Sequence, residues 1–228
     1  MNLPPRWGDD ELSSFMATAF GNTLATFVRK RPEFDLLIRT DAIFHKIADG
    51  SLNNPSNFLA ALLFPRAHSA YRAACRLAVS GQIPETSVLL RSCIEYALYA
   101  LHVEKNLPLA EVWLRRNDDD AARKACRQSF QHVKVIKTLA DTDAQLHRAI
   151  DGLYERSIEF GAHPNEGGVT GSTTLQEEPD RKTFQGVYLH ADGVPLSYAM
   201  KACAQVGVGA LSIFEHIGRI RNSVGEAD

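Results

Sequence analysis

Two side chains near the middle of the chain have types and a spacing that suit phosphate chemistry. Arg156 and His163 stand seven residues apart, where a helical pattern gives way to Gly161 and Pro164. Arginine offers a fork of donors to phosphate oxygens, and histidine moves a proton near neutral pH without needing a metal. Arg156 and His163 are therefore candidate catalytic residues.

The same two residues also have a structural interpretation. His163 would cap the end of its helix with a ring donor, and Arg156 would pair with Glu155 or Glu159. A catalytic role predicts instead that Arg156 and His163 share a groove open to solvent, within reach of one phosphate.

A second pair of charges stands almost alone in an apolar helix over residues 88–101. Arg91 and Glu95 are four residues apart, so they are neighbours on one face, and Ser87 and His102 fall on the same stripe. The stripe either touches solvent as an ordinary surface ion pair or faces an internal cleft. Burying an ion pair is costly, so a cleft would imply a binding role.

In the cleft interpretation, Arg91, Glu95 and His163 converge in one polar pocket, with Tyr96 or Tyr99 nearby. The candidate ligand-binding residues are Arg91, Glu95, Tyr99 and His102.

A basic group follows one side of the third predicted helix: Arg66, His68, Ser69, Arg72 and Arg76. Such a group is either a solvated face or a stripe that contacts phosphates. The eight histidines form no zinc or di-iron signature, although Glu159 and His163 are four apart. We predict no metal site and no cofactor.

Helical periodicity dominates the elements that must position these residues. We predict an all-α bundle of about 6–8 helices, over residues 10–29, 34–48, 57–80, 84–105, 108–115, 118–139, 142–160 and 195–221. Asp9 or Asp10 caps the first helix, Ser56 follows a turn and caps the third, and residues 118–120 give an acidic first turn.

Residues 164–193 are rich in Gly and Pro-Asp signals and predict a small β-hairpin before the last helix. Gly207 and Gly209 then suit close helix packing, since no strand precedes them. We predict a single helical domain over 1–228: N-terminal helices at 10–49, a bundle core at 56–160 and 195–221, and a hairpin insertion at 164–193.

Composition and net charge exclude some classes of function. The 228 residues carry a net charge of -2, which excludes a strongly basic coat for nucleic acid and an acidic tail. RNA or a nucleotide would have to bind through a local patch, such as one completed in a homodimer. The widely spaced Cys75, Cys93, Cys126 and Cys203 predict free thiols, and without a signal peptide or membrane span we expect a cytoplasmic protein with no membrane partner.

The spacing Arg156-x6-His163 in a helical chain resembles the arginine-x4-6-histidine signature of the HEPN superfamily. Many members are dimeric, metal-independent ribonucleases, and others are binding modules. The resemblance implies that Arg156 holds phosphate while His163 moves protons. The sequence departs from the family at Ser157, where Asn, Asp or His usually follows the arginine.

A longer resemblance, over about residues 60–220, is to uncharacterised bacterial all-helical proteins. They share an R-x-x-x-E central helix, here residues 91–95, and a G-x-H-P helix end, here residues 161–164. Three functions follow as hypotheses: a HEPN-like ribonuclease, a non-catalytic module that binds a small ligand or a protein, and a structural dimer.

Overall fold

The computed structural model describes residues 4–51, 58–164, 166–178 and 180–225. At residues 49–51 and 220–225 it describes the backbone alone. These residues form ten α-helices and a two-stranded hairpin before the last helix, which confirms the predicted all-α bundle. The first five helices are α1 (Glu11–Arg29), α2 (Arg31–Ser51), α3 (Phe58–Ser80), α4 (Ile83–Lys105) and α5 (Pro108–Leu114). The others are α6 (Asp120–Ser129), α7 (His132–Thr142), α8 (Ala144–Ser157), α9 (Glu166–Thr170) and α10 (Val194–Gly225).

Aspartates begin three of the helices, because a side-chain oxygen there accepts an amide proton that has no partner within the helix. Asp10 accepts from the Ser13 amide at the start of α1, as predicted. Asp119 does the same for Ala122 in α6, and Asp143 caps α8.

The central helix α4 supplies the middle of the core. Cys93, Ile94, Ala97 and Leu101 are completely buried, and the helix packs along α3 and α10. A helix that is apolar nearly all round is expected to be buried, so the sequence pattern of residues 88–101 placed this helix correctly.

Two glycines bring α10 close to its neighbours. A Cβ at Gly207 would lie 2.6 Å from the Tyr71 ring and 2.6 Å from Thr40, and a Cβ at Gly209 would lie 2.5 Å from Ile150. The predicted role of Gly207 and Gly209 in close helix packing is confirmed.

The structure differs from the predicted elements in two places: one predicted helix is divided in two, and one short helix was not predicted. The helix predicted over 118–139 is two helices, because Gln131 is extended and α6 ends at Phe130. Phe130 is buried, and the packing of its ring accounts for the change in chain direction. No Gly or Pro marks this break in the sequence. The short α9 was missed because Gly167 and Gly168 predict a turn. The turn predicted at 53–56, with its Ser56 cap, lies outside the described residues.

After α8 the chain makes a π-helical turn (Ile158–Ala162) and then enters the predicted insertion. The hairpin consists of antiparallel β1 (Thr173–Glu178) and β2 (Arg181–Gly186). Gly161, with φ of 136°, lies so close to Pro84 that a Cβ would be 2.7 Å from the Pro84 carbonyl oxygen. The insertion returns beside the same end of α4, where the His190 amide donates to the Gly81 carbonyl at 2.8 Å.

The N-terminal helix α1 has an unusual distribution of side chains. Ser13 and Thr26 are buried, whereas a row of apolar side chains four residues apart is exposed: Leu12, Met16, Phe20, Leu24 and Val28. None of the described helices is both long enough and apolar enough to span a bilayer. The four cysteines are free, as expected, and three of them are buried.

Candidate ligand-binding site

The predicted pair on α4 forms a partly exposed ion pair. Arg91 Nε donates to Glu95 Oε1 at 2.9 Å, and the two side chains are 30% and 37% exposed. Tyr154 on α8 joins them, since its hydroxyl donates to Glu95 Oε1 at 3.2 Å and its ring lies 5.2 Å from the Arg91 guanidinium carbon. The stripe thus lies at the junction of α4 and α8 and is partly exposed. It is neither a fully solvated surface pair nor a pair buried in an internal cleft.

A histidine that the sequence analysis did not select completes this junction. The His132 ring stacks on Tyr154 with centroids 3.9 Å apart, and its buried Nε2 has no hydrogen-bond partner among the described residues. Burial lowers the pKa of His132, and burial beside the Glu95 charge raises the pKa of Tyr154. Both rings are therefore neutral at pH 7.

A groove of about 550 Å³ opens beside Glu95, between α3, α4 and α5. Its wall combines apolar side chains of α3 with aromatic and basic groups: Leu59, Leu62, Leu63, Arg66, Ser92, Glu95, Tyr96, Tyr99, Trp113 and Arg116. The guanidinium carbon of Arg66 lies 5.5 Å from the centre of the Tyr96 ring, and that of Arg116 lies 5.2 Å from the centre of Trp113.

An adjoining groove of about 420 Å³ shares Tyr99, Trp113 and Arg116 with the first. It extends to α6 and adds Asn117, Arg123, Cys126, Arg127 and Phe130. We call the two together the Arg/Trp groove. Four arginines line it, and Glu95 is the acidic member among its described lining residues.

The predicted ligand-binding residues Tyr99 and His102 have different surroundings. Tyr99 lines both parts of the Arg/Trp groove, and its hydroxyl donates to the Phe130 carbonyl at 3.3 Å. His102 bonds to Thr138 Oγ1 at 2.7 Å and to the Ser129 carbonyl at 3.2 Å. Because both of its ring nitrogens bond within the protein, His102 ties α4 to α6 and α7.

The predicted catalytic residues Arg156 and His163 have different surroundings among the described residues. Arg156 is exposed and lines a separate groove between α8 and α10, beside Gln205 and Val208. His163 does not line that groove, and its Nδ1 lies 3.2 Å from the Pro164 carbonyl. Among the described residues, no hydrogen bond, ion pair or ring contact joins His163 to Arg156.

His163 is also not brought to the Arg91–Glu95 pair by any hydrogen bond, ion pair or ring contact among the described residues. The neighbouring Gly161 packs on Pro84, which precedes Arg91 by seven residues, or about 10 Å along the helix. The expected convergence of Arg91, Glu95 and His163 in one pocket is not what the contacts show.

The basic group of α3 divides between two sites. Arg66 lies on the Arg/Trp groove, whereas His68 and Arg72 face α2. There Asp41 accepts from Arg72 Nε at 2.7 Å and lies 2.6 Å from His68 Nε2, and His45 Nε2 contacts the Arg72 guanidinium. We call Asp41, His45, His68 and Arg72 the α2–α3 cluster.

Charge and burial act together in this cluster. The hydrogen bond from Arg72 lowers the pKa of Asp41 to about 2, against the effect of burial, and the His68 bond adds to the shift. Burial lowers the pKa of His68, although Asp41 opposes that shift. The His68 ring is held parallel to Phe44, with centroids 4.7 Å apart.

The sequence carries a weak signal for the α2–α3 cluster, of which Asp41 and His45 were missed, and none for the contact of His132 with Tyr154. In the cluster, Asp41 and His45 are spaced by four residues on α2, and His68 and Arg72 by four on α3, so each pair faces one direction. The pairing of those two faces depends on tertiary packing. His132 and Tyr154 meet for the same reason, and nothing local connects them.

Comparison with known proteins adds no relative: no family model, no curated protein and no solved structure matches this chain.

Proposed function

We propose that this protein binds nucleotides, either free or as units of single-stranded RNA, in the Arg/Trp groove. The observation that carries the proposal is the combination of four arginines with half-buried aromatic rings along two adjoining grooves that share Tyr99, Trp113 and Arg116. A nucleotide presents an anionic phosphate and a flat base, and these are the two features that such a wall recognises.

The charge of the groove favours an anion despite the net charge of -2 for the whole chain. Arg66 and Arg116 have no ion pair among the described residues and rest against aromatic rings. Arg123 pairs with Asp120 at 2.7 Å, and Glu95 is held by Arg91. At least two guanidinium groups are therefore free to meet phosphate oxygens.

The aromatic residues supply a surface for the base. Tyr96, Tyr99 and Trp113 are half-buried, so they are anchored in the protein while part of each ring faces the groove. Stacking of one base on such a ring contributes about 1–3 kcal/mol. Trp113 lies where both parts of the groove meet, so it is the central residue of the proposed site.

The test measures binding of a fluorescein-labelled oligouridylate and of ADP to the full chain, by fluorescence anisotropy and by calorimetry. We expect Arg66→Glu with Arg116→Glu to weaken binding at least tenfold and to reduce its dependence on salt. Trp113→Leu should weaken binding about tenfold, because one stacking surface is lost.

Arg76→Glu is the matched control, since Arg76 is an exposed arginine of α3 that lies outside the groove. Equal loss of affinity in Arg76→Glu and in the groove variants would contradict the proposed site. So would a wild-type protein that binds neither ADP nor the oligonucleotide.

The proposal stops at binding, because Arg156 and His163 lie outside the Arg/Trp groove. We expect RNA to stay intact when it is incubated with the protein in EDTA. Cleavage that His163→Ala abolishes would replace this proposal by the metal-independent ribonuclease that the HEPN resemblance implies.

We also propose that the protein forms a homodimer through α1. The exposed row from Leu12 to Val28 repeats every four residues and is symmetric about Phe20. In an antiparallel pair of α1 helices that cross at Phe20, Met16 of one copy would oppose Leu24 of the other. Rows at this spacing favour helices that cross at about −50°.

Burial of polar side chains under the same helix supports the dimer. Ser13 and Thr26 face the protein and Phe20 faces outward, at 50% exposure, so the more apolar side of α1 is covered only if another surface meets it. An isologous contact needs one patch that is complementary to itself, and a row symmetric about one residue meets that condition.

Sedimentation equilibrium tests the dimer. We expect a dimer for the wild type and a monomer for Phe20→Glu, because two carboxylates would meet at the two-fold axis. Phe184→Glu is the control, since Phe184 is an exposed aromatic residue of the hairpin. A monomeric wild type, or a Phe20→Glu protein that still dimerises, would exclude this interface.

A further inference from the structure

The α2–α3 cluster brings together side chains that commonly hold metal ions. The carboxylate of Asp41 and one ring nitrogen each of His45 and His68 lie within 4.8 Å of one another. Asp41 and His45 are one turn apart on α2, and His68 faces them from α3. Two rigid helices therefore fix the positions of all three groups.

The acceptor atoms of the cluster already converge on a cation, which is the guanidinium of Arg72. It donates from Nε to Asp41 Oδ1 at 2.7 Å and from a terminal nitrogen to Asp41 Oδ2 at 2.8 Å, and it contacts His45 Nε2. His68 Nε2 lies 2.6 Å from the same oxygen, Asp41 Oδ1. The cluster is thus arranged around positive charge.

We propose that Asp41, His45 and His68 bind a divalent transition-metal ion of the Zn²⁺ type, which takes the place that the Arg72 guanidinium now holds. Two imidazoles and one carboxylate are a ligand set that zinc accepts, and three protein ligands leave one position for water. The site lies apart from the Arg/Trp groove, so it is independent of the proposed nucleotide binding.

The geometry requires only small movements. A tetrahedral zinc ion with bonds of about 2 Å holds its ligand atoms about 3.3 Å apart. Asp41 Oδ1 is 2.6 Å from His68 Nε2 and Asp41 Oδ2 is 3.6 Å from His45 Nε2. The three ligand atoms lie within 4.8 Å of one another, so side-chain movements of about 1.5 Å or less bring them to that spacing. Arg72 is 52% exposed, and its guanidinium can leave for solvent.

The packing around His68 prepares its ring for a ligand role. The side chain is 11% exposed, and stacking on Phe44 fixes the plane of the imidazole. A ring held in this way loses little freedom when an ion binds, which is how surrounding residues orient metal ligands in proteins. His45 is 53% exposed, so it offers a variant that leaves the core intact.

The test uses the full chain after EDTA treatment and buffer exchange, with Zn²⁺ alone as the probe. Competition against a chromophoric chelator gives the affinity, and the absorption spectrum of the Co²⁺ form gives the ligand type. We expect one ion per chain and a Co²⁺ spectrum typical of nitrogen and oxygen ligands, without a thiolate charge-transfer band.

Three variants decide between the outcomes. His45→Ala should weaken Zn²⁺ binding at least tenfold, and Arg72→Ala should strengthen it, because the competing cation is gone. Arg76→Ala, one turn further along α3, should leave it unchanged. Circular dichroism checks that each variant is folded.

The proposal fails if the wild type binds no Zn²⁺ at micromolar concentrations or if His45→Ala binds it as tightly as the wild type. It also fails if the Co²⁺ spectrum shows thiolate ligands. A folded Arg72→Ala protein with weaker binding would overturn the displacement of Arg72 by the ion.

Discussion

The N-terminal helix α1 and the central helix α4 are attached to the protein in opposite ways. In α4 the apolar side chains face inward, and its charges, Arg91 and Glu95, lie at the edge. In α1 polar side chains face inward, and Leu12, Phe20 and their neighbours face outward. This difference shows which apolar surfaces the described residues bury and which one they leave exposed.

Polar bonds contribute to the attachment of both α1 and α2 to α3, and in α2 they add to the buried Leu37 and Phe44. Asn22 of α1 donates to the Ser80 carbonyl at the end of α3, at 3.1 Å. Asp41 of α2 meets Arg72 and His68 of α3. Because the bonds of Asp41 depend on its charge, we expect the attachment of α2 to respond to pH, whereas α4 responds to changes in side-chain volume.

The largest expected effect on stability comes from removing side-chain volume on the buried face of α4. Leu98 is 1% exposed, and Leu98→Ala should lower the free energy of unfolding by about 2–5 kcal/mol. Urea unfolding measures the loss, which should be the same at low and high protein concentration.

Leu24→Ala is the matched substitution in α1, where Leu24 is 54% exposed. Its effect on the free energy of unfolding should be below about 1 kcal/mol in dilute protein, since the side chain is half in water. The effect should grow with protein concentration as the dimer forms. A large effect of Leu24→Ala in the monomer would remove the contrast between the two helices.

A middle-sized effect is expected on acidification, through Asp41. Its pKa of about 2 in the folded protein is below the usual value of 3.8. The carboxylate therefore stabilises the fold above about pH 4, and this contribution is lost as the pH falls through about 2. After allowance for solvent screening, we expect about 1 kcal/mol.

Asp41→Asn supplies the comparison for this experiment. Urea unfolding of the wild type and the variant, measured between pH 5 and pH 2, should show the wild type more stable at pH 5 and the difference shrinking toward pH 2. A difference that stays constant over this range would show that the Asp41 charge does not fasten α2 to α3.

The smallest expected effect is at the edge of α4. Arg91→Met should change the free energy of unfolding by less than about 1 kcal/mol, because both members of the Arg91–Glu95 pair are partly exposed. Thermal unfolding at low and high salt measures it, and salt should reduce the difference between variant and wild type. A loss of several kcal/mol would mean that Glu95 is left buried without a partner.

Much of the fold follows from local sequence patterns. The apolar run around Ile94 predicts a buried helix, Asp10 predicts a helix start, and Gly207 predicts close helix contact; the structure confirms each. The break at Gln131 was missed because it is imposed by the packing of Phe130, and no residue with a special backbone preference marks it.

The candidate sites were harder to predict, because they depend on which helix faces meet. Glu95 and Tyr99, which the sequence suggests as ligand-binding residues, line a groove because they stand on the edge of an apolar helix, and their binding role stays a prediction. Trp113 and His132 come from helices whose orientation relative to α4 is decided by tertiary contacts. The contact of His45 with Arg72 across α2 and α3 has the same origin.

Two contacts anchor the hairpin insertion, and they bear on where the chain can tolerate a change in length. Gly161 packs on Pro84 where the insertion begins, and His190 bonds to Gly81 where it returns, so both ends are held within one turn at the start of α4. The entropy of closing a loop between fixed ends grows slowly with its length. The segment between these anchors is therefore a place where the chain can be lengthened, shortened or exchanged while the path of α10 stays the same.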